Sequence, residues 1–258
     1  MRYHEAGSGR ALLLLHAFPL SADQWLPQLH RVPPGWQFVA PDLRGFRGVG
    51  PAFVPTGLDD VTMDDYAEDV VALMNHLDIA RAVICGLSMG GYVAFALMRR
   101  IPDRVFGLVL ADTRAAADSA EGRAGRDAMR ALLQRDGPAG VARVMLPRLL
   151  GETARRDQPD LGDVVQGMIA ANAPEAMAAA IAAMKARPDS TPLLSTLACP
   201  TLVICGDEDI LTPPRESEAM AAAMAAASFV RLPGAGHLSN LEAPLAFNRA
   251  LGHFLAGL

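Results

Sequence analysis

The sequence predicts an α/β fold with a mostly parallel central sheet flanked by helices, and three observations lead to it. Short apolar runs alternate along the chain with longer amphipathic segments, as strands and helices do when helices cover a parallel sheet. Most of these runs are too continuous in their hydrophobicity for a half-exposed antiparallel sheet. With 258 residues, of which 51% are hydrophobic, the chain is also long enough to bury one large core.

The predicted strands are short apolar runs, and they fall at residues 11–15, 37–40, 82–85, 106–110, 201–205 and 228–232. The predicted helices lie between and after them, at residues 63–77, 89–100, 213–226 and 244–255. Thr62, followed by Asp64 and Asp65, is typical of a capped helix start, because the first turn favours acidic side chains. Pro213-Pro214 likewise suits the first turn of a helix.

Residues 113–197 break this alternation, because they contain no convincing strand. Their pattern is helical and rich in Ala, Arg and Met, and it is interrupted by Gly137-Pro138 and by further prolines. A helical insertion between two core strands is expected to lie over the carboxyl ends of the sheet, where open α/β folds place their ligands. We therefore predict a core of residues 1–112 and 198–258 and a helical lid of residues 113–197, within one structural domain. The alternative is that these helices pack elsewhere and only add bulk.

Charge and cysteine usage narrow the class of function. The net charge is −5 and no dense cluster of Lys and Arg occurs, so no nucleic-acid or anionic-membrane surface is expected. The three cysteines, Cys85, Cys199 and Cys205, lack the spacing of a disulfide framework or a zinc site. The first residues do not resemble a signal peptide, and no apolar stretch is long enough for a membrane span. We expect a cytoplasmic protein without a metal, whose oligomeric state stays open.

Ser88 is the candidate nucleophile. It stands in Gly86-Leu87-Ser88-Met89-Gly90, directly after the strand 82–85. This pattern predicts a strand, a sharp turn with the serine at its tip, and a helix whose first N–H groups lie beneath the hydroxyl. A Cβ at either flanking glycine would collide with the neighbouring strand or helix. The alternative is an inert serine on a glycine-rich turn.

A serine hydroxyl needs a base and a group that orients that base. His237 follows the flexible turn 232–236 after a core strand, so it can project over the carboxyl edge of the sheet. Its alternative is a surface-loop histidine. The orienting acid is either Asp209, after the strand 201–205, or Asp112, after the strand 106–110. If it is Asp209, Ile210-Leu211 would shield its contact with the imidazole.

An acyl-transfer site also needs donors for an oxyanion, and each such donor stabilises the transition state by about 3 kcal/mol. The backbone N–H groups of Met89 and Phe18 are the candidates, and His16 is expected to brace the loop that holds Phe18. The side chains of Phe18, Met89, Trp25, Leu211 and Leu238 flank this site and predict an apolar pocket for a small to medium acyl group. Some of them are expected only to fill the core. No anion clamp is evident.

The chain resembles the α/β-hydrolase fold superfamily over essentially its whole length. The resemblance rests on segments that correspond in chain order to the family's oxyanion loop, the turn after the next strand, the nucleophile elbow, the acid loop and the histidine loop: His16-Ala17-Phe18-Pro19, Pro41-Asp42-Leu43-Arg44-Gly45, Gly86-Leu87-Ser88-Met89-Gly90-Gly91, Gly206-Asp207-Glu208-Asp209 with Pro213, and Gly236-His237 with Glu242 and Pro244. The order Ser, Asp, His is also the family's order. The resemblance implies Asp209, rather than Asp112, as the acid.

The chain is most similar to small bacterial esterases, enol-lactonase-like enzymes and cofactor-free perhydrolases with short helical lids. It departs from the family pattern in three places. Ala17 replaces the usual glycine of the oxyanion loop, and the segment 45–49 replaces the familiar G-x-G-x-S. We also expect the first strand of the family's opening hairpin to be missing. None of these departures involves Ser88, Asp209 or His237.

The predicted function is that of a serine hydrolase without a cofactor, which cleaves a small apolar carboxylic ester, thioester or lactone. Ser88 attacks the carbonyl, His237 transfers the proton, and Asp209 orients His237. The first alternative is a cofactor-free perhydrolase or haloperoxidase that uses the same triad. The second is a ligand-binding protein of the same fold that does not hydrolyse its ligand. Dehalogenase and epoxide-hydrolase chemistry are disfavoured, because those relatives have an aspartate where this chain has Ser88.

Overall fold

The computed structural model describes residues 1–47 and 60–258. Its central sheet has seven strands: β1 (Tyr3–Gly7), β2 (Arg10–Leu15), β3 (Trp36–Pro41), β4 (Ala82–Leu87), β5 (Val105–Ala111), β6 (Thr201–Gly206) and β7 (Ala227–Leu232). The spatial order is β1-β3-β2-β4-β5-β6-β7, and every neighbouring pair is parallel except β1 with β3. The predicted fold class is confirmed.

The edge strand β1 is absent from the sequence-based prediction. Its five residues alternate between exposed and half-buried positions, so it presents no apolar run. It pairs antiparallel along β3, with Tyr3 opposite Pro41 and Gly7 opposite Gln37. A half-exposed antiparallel strand at a sheet edge needs little apolar surface, which is why hydrophobicity alone does not reveal it.

The register of the parallel strands brings their carboxyl ends to one edge of the sheet. Leu15 of β2 pairs with Gly86 of β4, and Leu87 pairs with Ala111 of β5. On the other side, Ala111 pairs with Ile204 of β6, whose last residues pair with the end of β7. The segments that follow these strands carry all the predicted catalytic residues, so the topology delivers them to the same edge.

The helices of the core are α1 (Leu26–Leu29), α2 (Met63–His76), α3 (Met89–Arg100), α9 (Pro214–Ala222), α10 (Ser239–Glu242) and α11 (Pro244–Ala256). The predicted N-cap of α2 is confirmed as a capping box, in which Thr62 and Asp65 each accept a hydrogen bond from the other's backbone N–H. The helix predicted at 213–226 ends earlier, at Ala222, because the chain must turn there to enter β7. Residues 48 and 49 of the unusual segment 45–49 lie outside the described residues.

The chain between β5 and β6 is helical, as predicted, and consists of α4 (Ala120–Leu149), α5 (Glu152–Asp157), α6 (Pro159–Ala170), α7 (Pro174–Ala186) and α8 (Thr191–Leu194). The segment α4 is broken at Gly137, whose φ of +65° and ψ of −168° are not helical. The predicted boundaries of the helical lid, at residues 113 and 197, stay a prediction. Within the described ranges no single helix has both the length and the apolar content of a membrane span. Only α6 and α7 taken together have that length and apolar content, and they are bent by 95° relative to each other.

Candidate active site

Ser88 lies on a sharp elbow between β4 and α3. Its φ of +53° and ψ of −111° are rare for a residue with a side chain, and such a conformation costs about 1–3 kcal/mol unless the surroundings hold it. A Cβ on Gly86 would stand 2.2 Å from the Gly90 carbonyl oxygen, and a Cβ on Gly90 would stand 2.1 Å from that of Leu15. Both glycines are therefore required by close backbone contact, as the sequence pattern predicts.

Hydrogen bonds from the neighbouring strand end hold the elbow. The Ser88 N–H donates to the carbonyl of Ala111 at 3.0 Å. The Thr113 hydroxyl and the Gly91 N–H donate to the Ser88 carbonyl at 2.8 and 2.9 Å. Both the N–H and the carbonyl of the strained residue are thus hydrogen-bonded, so its backbone is held in place while its side chain takes no part in these bonds.

His237 is joined to Asp209. Its Nδ1 lies 2.8 Å from Asp209 Oδ2, and both side chains are buried. The other carboxylate oxygen accepts from the N–H groups of Leu211 and Thr212 at 2.8 and 3.0 Å. Burial raises the pKa of the Asp209 carboxyl, but the charge of His237 and the hydrogen bonds from His237 and Thr212 outweigh it, so the net pKa is lowered. Asp209 is therefore an anion that can orient the imidazole.

Asp112 is buried in a different role. It has a φ of +44°, accepts a hydrogen bond from the Gly206 N–H at 2.8 Å, and its second oxygen is hydrogen-bonded to the Ser239 hydroxyl. No described contact joins it to His237. Burial, with the charge of Asp209 second, raises its pKa well above the usual value, so Asp112 is the more readily protonated of the two carboxyls. It ties the end of β6 to the turn that follows His237.

The side chains of Asp112, Asp209 and Cys205 lie close enough to suggest a metal site, since their candidate ligand atoms are within 4.8 Å of one another. The donor set does not suit one. Burial raises the pKa of the Cys205 thiol, and both carboxyls are already bonded to neighbouring donors. The cluster belongs to the hydrogen-bonded frame of the acid loop.

The loop that carries His237 is held by the buried carboxylate of Glu242, a residue of the histidine-loop motif. Glu242 accepts from the N–H groups of Gly236 and Leu238, each at 2.9 Å, and from that of Gly151 at 2.7 Å. The His237 N–H itself donates to a carbonyl at the end of α4 at 3.1 Å. The histidine is thus fixed between its own loop and the inserted helices.

The Ser88 hydroxyl and His237 line the same cavity, although no hydrogen bond joins them among the described residues. Catalytic hydrogen bonds of this kind are often long without substrate and shorten in the complex. Because Asp209 occupies Nδ1, the Nε2 atom of His237 is the one left to accept the serine proton.

The predicted oxyanion donors are both available. Met89 is the first residue of α3, where a backbone N–H has no partner inside the helix. The Phe18 N–H takes part in none of the hydrogen bonds formed by the described residues, and its side chain lines the cavity.

His16 braces this loop, as expected. Its Nδ1 donates to the Ala17 carbonyl at 2.9 Å, and its Nε2 accepts from the Leu43 N–H at 3.0 Å. Burial lowers the pKa of His16 to about 4, so the ring is neutral and keeps this tautomer. The loop of Phe18 is thus tied to the chain that leaves β3.

The cavity has a volume of about 420 Å³, and its lining corrects the predicted pocket. Leu211 contributes to it, but Trp25 and Leu238 do not. Trp25 is fully buried, with its ring 5.9 Å from that of Phe247, and Leu238 is fully buried beside the base it follows. Ile210 is 64% exposed and does not shield the acid, contrary to expectation. These apolar residues fill the core or face solvent.

The inserted helices supply the part of the lining that the sequence did not reveal. Tyr92 of α3 joins it from the core, Asp118 joins it from the loop just before α4, and Gly122, Arg126 and Met129 join it from the first turns of α4. The last four residues recur every three or four positions, which is the spacing of one helical face. That periodicity could have identified them once α4 was known to cross the site.

Comparison with known proteins agrees with this geometry. Residues 12–250 match the model of the Alpha/beta hydrolase family. A thermophilic esterase from Thermogutta terrifontis, solved with malate bound, is 41% identical, with a TM-score of 0.94 over 99% of this chain and 93% of its own. The 3-oxoadipate enol-lactonase 2 of Acinetobacter baylyi is 27% identical over 93% of this chain and 86% of its own. A Mycobacterium tuberculosis protein provisionally named non-heme bromoperoxidase BpoC is 29% identical over 100% of this chain and 98% of its own.

The matched segment spans the sheet from β2 onward, the elbow, and the loops of Asp209 and His237. The resemblance drawn from five short motifs is therefore confirmed at the level of the whole fold. The chain belongs to the Alpha/beta hydrolase family, and it is a hydrolase acting on ester bonds.

Proposed function

We propose that this protein is a serine hydrolase that cleaves a small carboxylic ester, thioester or lactone through an acyl-enzyme on Ser88. One observation carries the proposal. Ser88, on a strained elbow at the start of a helix, lines the same cavity as His237. The Nδ1 atom of His237 is hydrogen-bonded to the buried Asp209. A nucleophile, a base and an anion that orients the base are the parts acyl transfer needs.

In the proposed reaction, His237 Nε2 takes the proton of Ser88 as its Oγ attacks the carbonyl carbon. The N–H groups of Phe18 and Met89 stabilise the oxyanion, and Asp209 stabilises the imidazolium. The C–O bond (C–S in a thioester) breaks when His237 returns the proton to the leaving group. Water, activated by the same histidine, then attacks the acyl-enzyme and releases the acid and Ser88.

The inserted helices act as the lid in this proposal. Residues at the start of α4, with Met145 near its end, share the walls of the cavity with Ser88 and His237. A cavity closed by both parts of the chain can exclude bulk water from the acyl-enzyme while leaving a mouth for substrate. Its volume, about 420 Å³, suits a small to medium molecule.

The test is covalent labelling combined with turnover. A fluorophosphonate probe should label the wild-type protein, and short p-nitrophenyl esters should be hydrolysed with an optimum chain length. Ser88→Ala should not be labelled and should lose at least about a thousandfold in kcat. Ser195→Ala, at an exposed serine of the insertion, is the matched control and should behave as wild type.

Two results would contradict the proposal: no labelling together with no ester turnover, or equal turnover by Ser88→Ala. Saturable ligand binding without hydrolysis would then favour the non-catalytic alternative.

A second candidate is peracid formation, because the similar Mycobacterium tuberculosis protein bears a bromoperoxidase name. In that reaction hydrogen peroxide, in place of water, would attack the acyl-enzyme on Ser88. Acetate turnover that requires peroxide and exceeds ester hydrolysis would favour this candidate.

A further inference from the structure

The catalytic cavity has one wall that differs from the apolar pocket expected from the sequence. Apolar side chains such as Phe18 and Leu211 line the part nearest the elbow. The remaining wall contains methionines together with charged side chains, which are Arg114, Arg126, Arg148, Asp118 and Glu121. An excess of arginine stands out here because the protein as a whole has a net charge of −5.

Most of these charges are already paired. Arg126 lies 3.0 Å from Asp118, and Arg187, beneath the cavity, lies 2.8 Å from the other oxygen of the same carboxylate. Arg114 lies 3.1 Å from Glu216 and also donates to a backbone carbonyl of the acid loop. Two guanidinium groups therefore share the single charge of Asp118, which leaves this cluster positive.

Arg148 is the cavity arginine without a partner among the described residues. Its side chain is exposed, and no ion pair or hydrogen bond is formed by its guanidinium within residues 1–47 and 60–258. Glu121 is also exposed, but it stands in the first turn of α4, whereas Arg148 stands in the last. Both side chains line the cavity, and no ion pair joins them among the described residues.

The backbone at Arg148 is fixed beside the catalytic base. The carbonyl of the next residue, Leu149, accepts the His237 N–H at 3.1 Å. Two residues further on, the Gly151 N–H donates to the buried carboxylate of Glu242 at 2.7 Å. Arg148, one residue from this contact, therefore lines the same cavity as Ser88 from a fixed part of the backbone.

From these contacts we infer that the preferred substrate carries a carboxylate in addition to its scissile ester or lactone, and that Arg148 holds that carboxylate. The inference rests on the proposed function and names its substrate class. A guanidinium suits this task because it binds a carboxylate with two parallel charge-assisted hydrogen bonds. The positive cluster of Arg126, Arg187 and Asp118 adds attraction for the same anion. The apolar wall then receives the carbon chain between the two groups.

A cation in the last turn of a helix also interacts favourably with the helix dipole, so Arg148 could serve only stability. The two roles differ in what they predict for a charged substrate. A purely structural arginine would change the melting temperature without changing the choice between a charged and a neutral ester.

The experiment compares substrates that differ only in one charge. Methyl hydrogen glutarate carries a carboxylate on the acyl side, and the matching primary amide, methyl glutaramate, is nearly isosteric and neutral. A second pair, 3-acetoxypropanoate and its amide, carries the charge on the alcohol side. In at least one pair the wild-type enzyme should prefer the carboxylate by about tenfold or more in kcat/KM, mainly through KM, and added salt should reduce the preference.

Arg148→Gln should remove that preference, because kcat/KM should fall by about tenfold or more for the carboxylate substrate and clearly less for its neutral analogue. The matched control is Arg143→Gln, an exposed arginine of the same helix that lies outside the cavity lining and pairs with Asp136. This control should keep the preference intact.

A wild-type enzyme that shows no preference in either pair would overturn the inference, and so would a preference that survives Arg148→Gln. In both cases, hydrolysis of the ester bond of the neutral analogues by Ser88 would still support the proposed function. If no ester is cleaved at all, calorimetric binding of free glutarate tests the inference separately. Wild type should bind glutarate at least about tenfold more tightly than Arg148→Gln, and equal binding would overturn it.

Discussion

At the scale of single residues, Asp209 and Asp112 are two buried carboxyls at the same edge of the sheet, and their surroundings shift their pKa values in opposite directions. Asp209 receives the imidazole and the N–H groups of its own loop, which lower its pKa. The pKa of Asp112 is raised instead, first by burial and then by the neighbouring charge of Asp209. An anion is needed to hold the base, and a neutral carboxyl is enough to join two loops.

This difference predicts unequal effects of the same substitution. Asp209→Asn should lower kcat by about a thousandfold or more, because the amide cannot stabilise the imidazolium. Asp112→Asn should stay within about tenfold of wild type, because the amide oxygen can still accept from the Gly206 N–H, and the Ser239 hydroxyl, which donates to Asp112, can instead accept from the amide nitrogen. Steady-state kinetics with a p-nitrophenyl ester measures both. Equal losses in two folded variants would show that Asp112 is charged during catalysis.

At the scale of elements, one side chain joins the insertion to the oxyanion loop. Asn172 follows α6, and its amide nitrogen donates to the carbonyls of Pro19 and Leu20 at 2.8 and 3.3 Å. Its amide oxygen accepts from the Arg47 N–H at 2.8 Å. The side chain is buried and uses both ends of its amide, so it transmits the position of the inserted helices to the loop that carries the Phe18 N–H.

Asn172→Ala should therefore act on the transition state as well as on stability. We expect kcat to fall by about tenfold to a hundredfold with a smaller change in KM, because misplacing an oxyanion donor affects the charge that develops during reaction. The measurement is a kcat and KM determination alongside the melting temperature. Lys185→Ala on α7, which removes an exposed ion pair with Asp127 of α4, is the control and should leave kcat unchanged. A loss of stability alone, with kcat intact, would contradict the positioning role.

The elements also show which parts of the site a sequence can predict. Ser88 and His237 could be predicted from local signals, because glycines beside a strand end permit sharp turns and close backbone contacts that other residues do not. The charged cavity wall could not be predicted, because which face of α4 turns toward the sheet depends on packing between helices. The prediction that Trp25 lines the pocket was wrong for the same reason. A residue near a strand end in sequence can point to the core or to the cavity, and only tertiary contacts decide.

At the scale of the whole molecule, the active site is a place where five strand ends are joined by side-chain hydrogen bonds. His16 joins the end of β2 to the exit of β3, and Asp112 joins β5 to β6 and to the turn after β7. Glu242 then joins that turn to the insertion. Because each of these groups is buried and titratable, the protonation that alters the site also alters the free energy of folding.

His16 gives the clearest case, because its pKa is about 4 in the folded protein and 6.5 when unperturbed. Between these values the unfolded chain binds the proton and the folded protein does not, so the free energy of unfolding falls as pH decreases from 6.5 toward 4. The raised pKa values of Asp112 and Glu242 act in the opposite sense, since their contribution is present at low pH and is lost as pH rises. Only a comparison of variants isolates the histidine.

Urea unfolding of wild type and His16→Gln at pH 7 and pH 4 provides that comparison. The wild-type free energy of unfolding should fall by about 3 kcal/mol more than that of the variant over this interval, because a shift of about 2.5 pKa units corresponds to about that energy. His76→Gln, at an exposed histidine that ends α2, should keep the wild-type pH dependence. If His16→Gln also kept it, the pKa of His16 would not be lowered by folding, and its hydrogen bond from the Leu43 N–H would not be what holds the oxyanion loop.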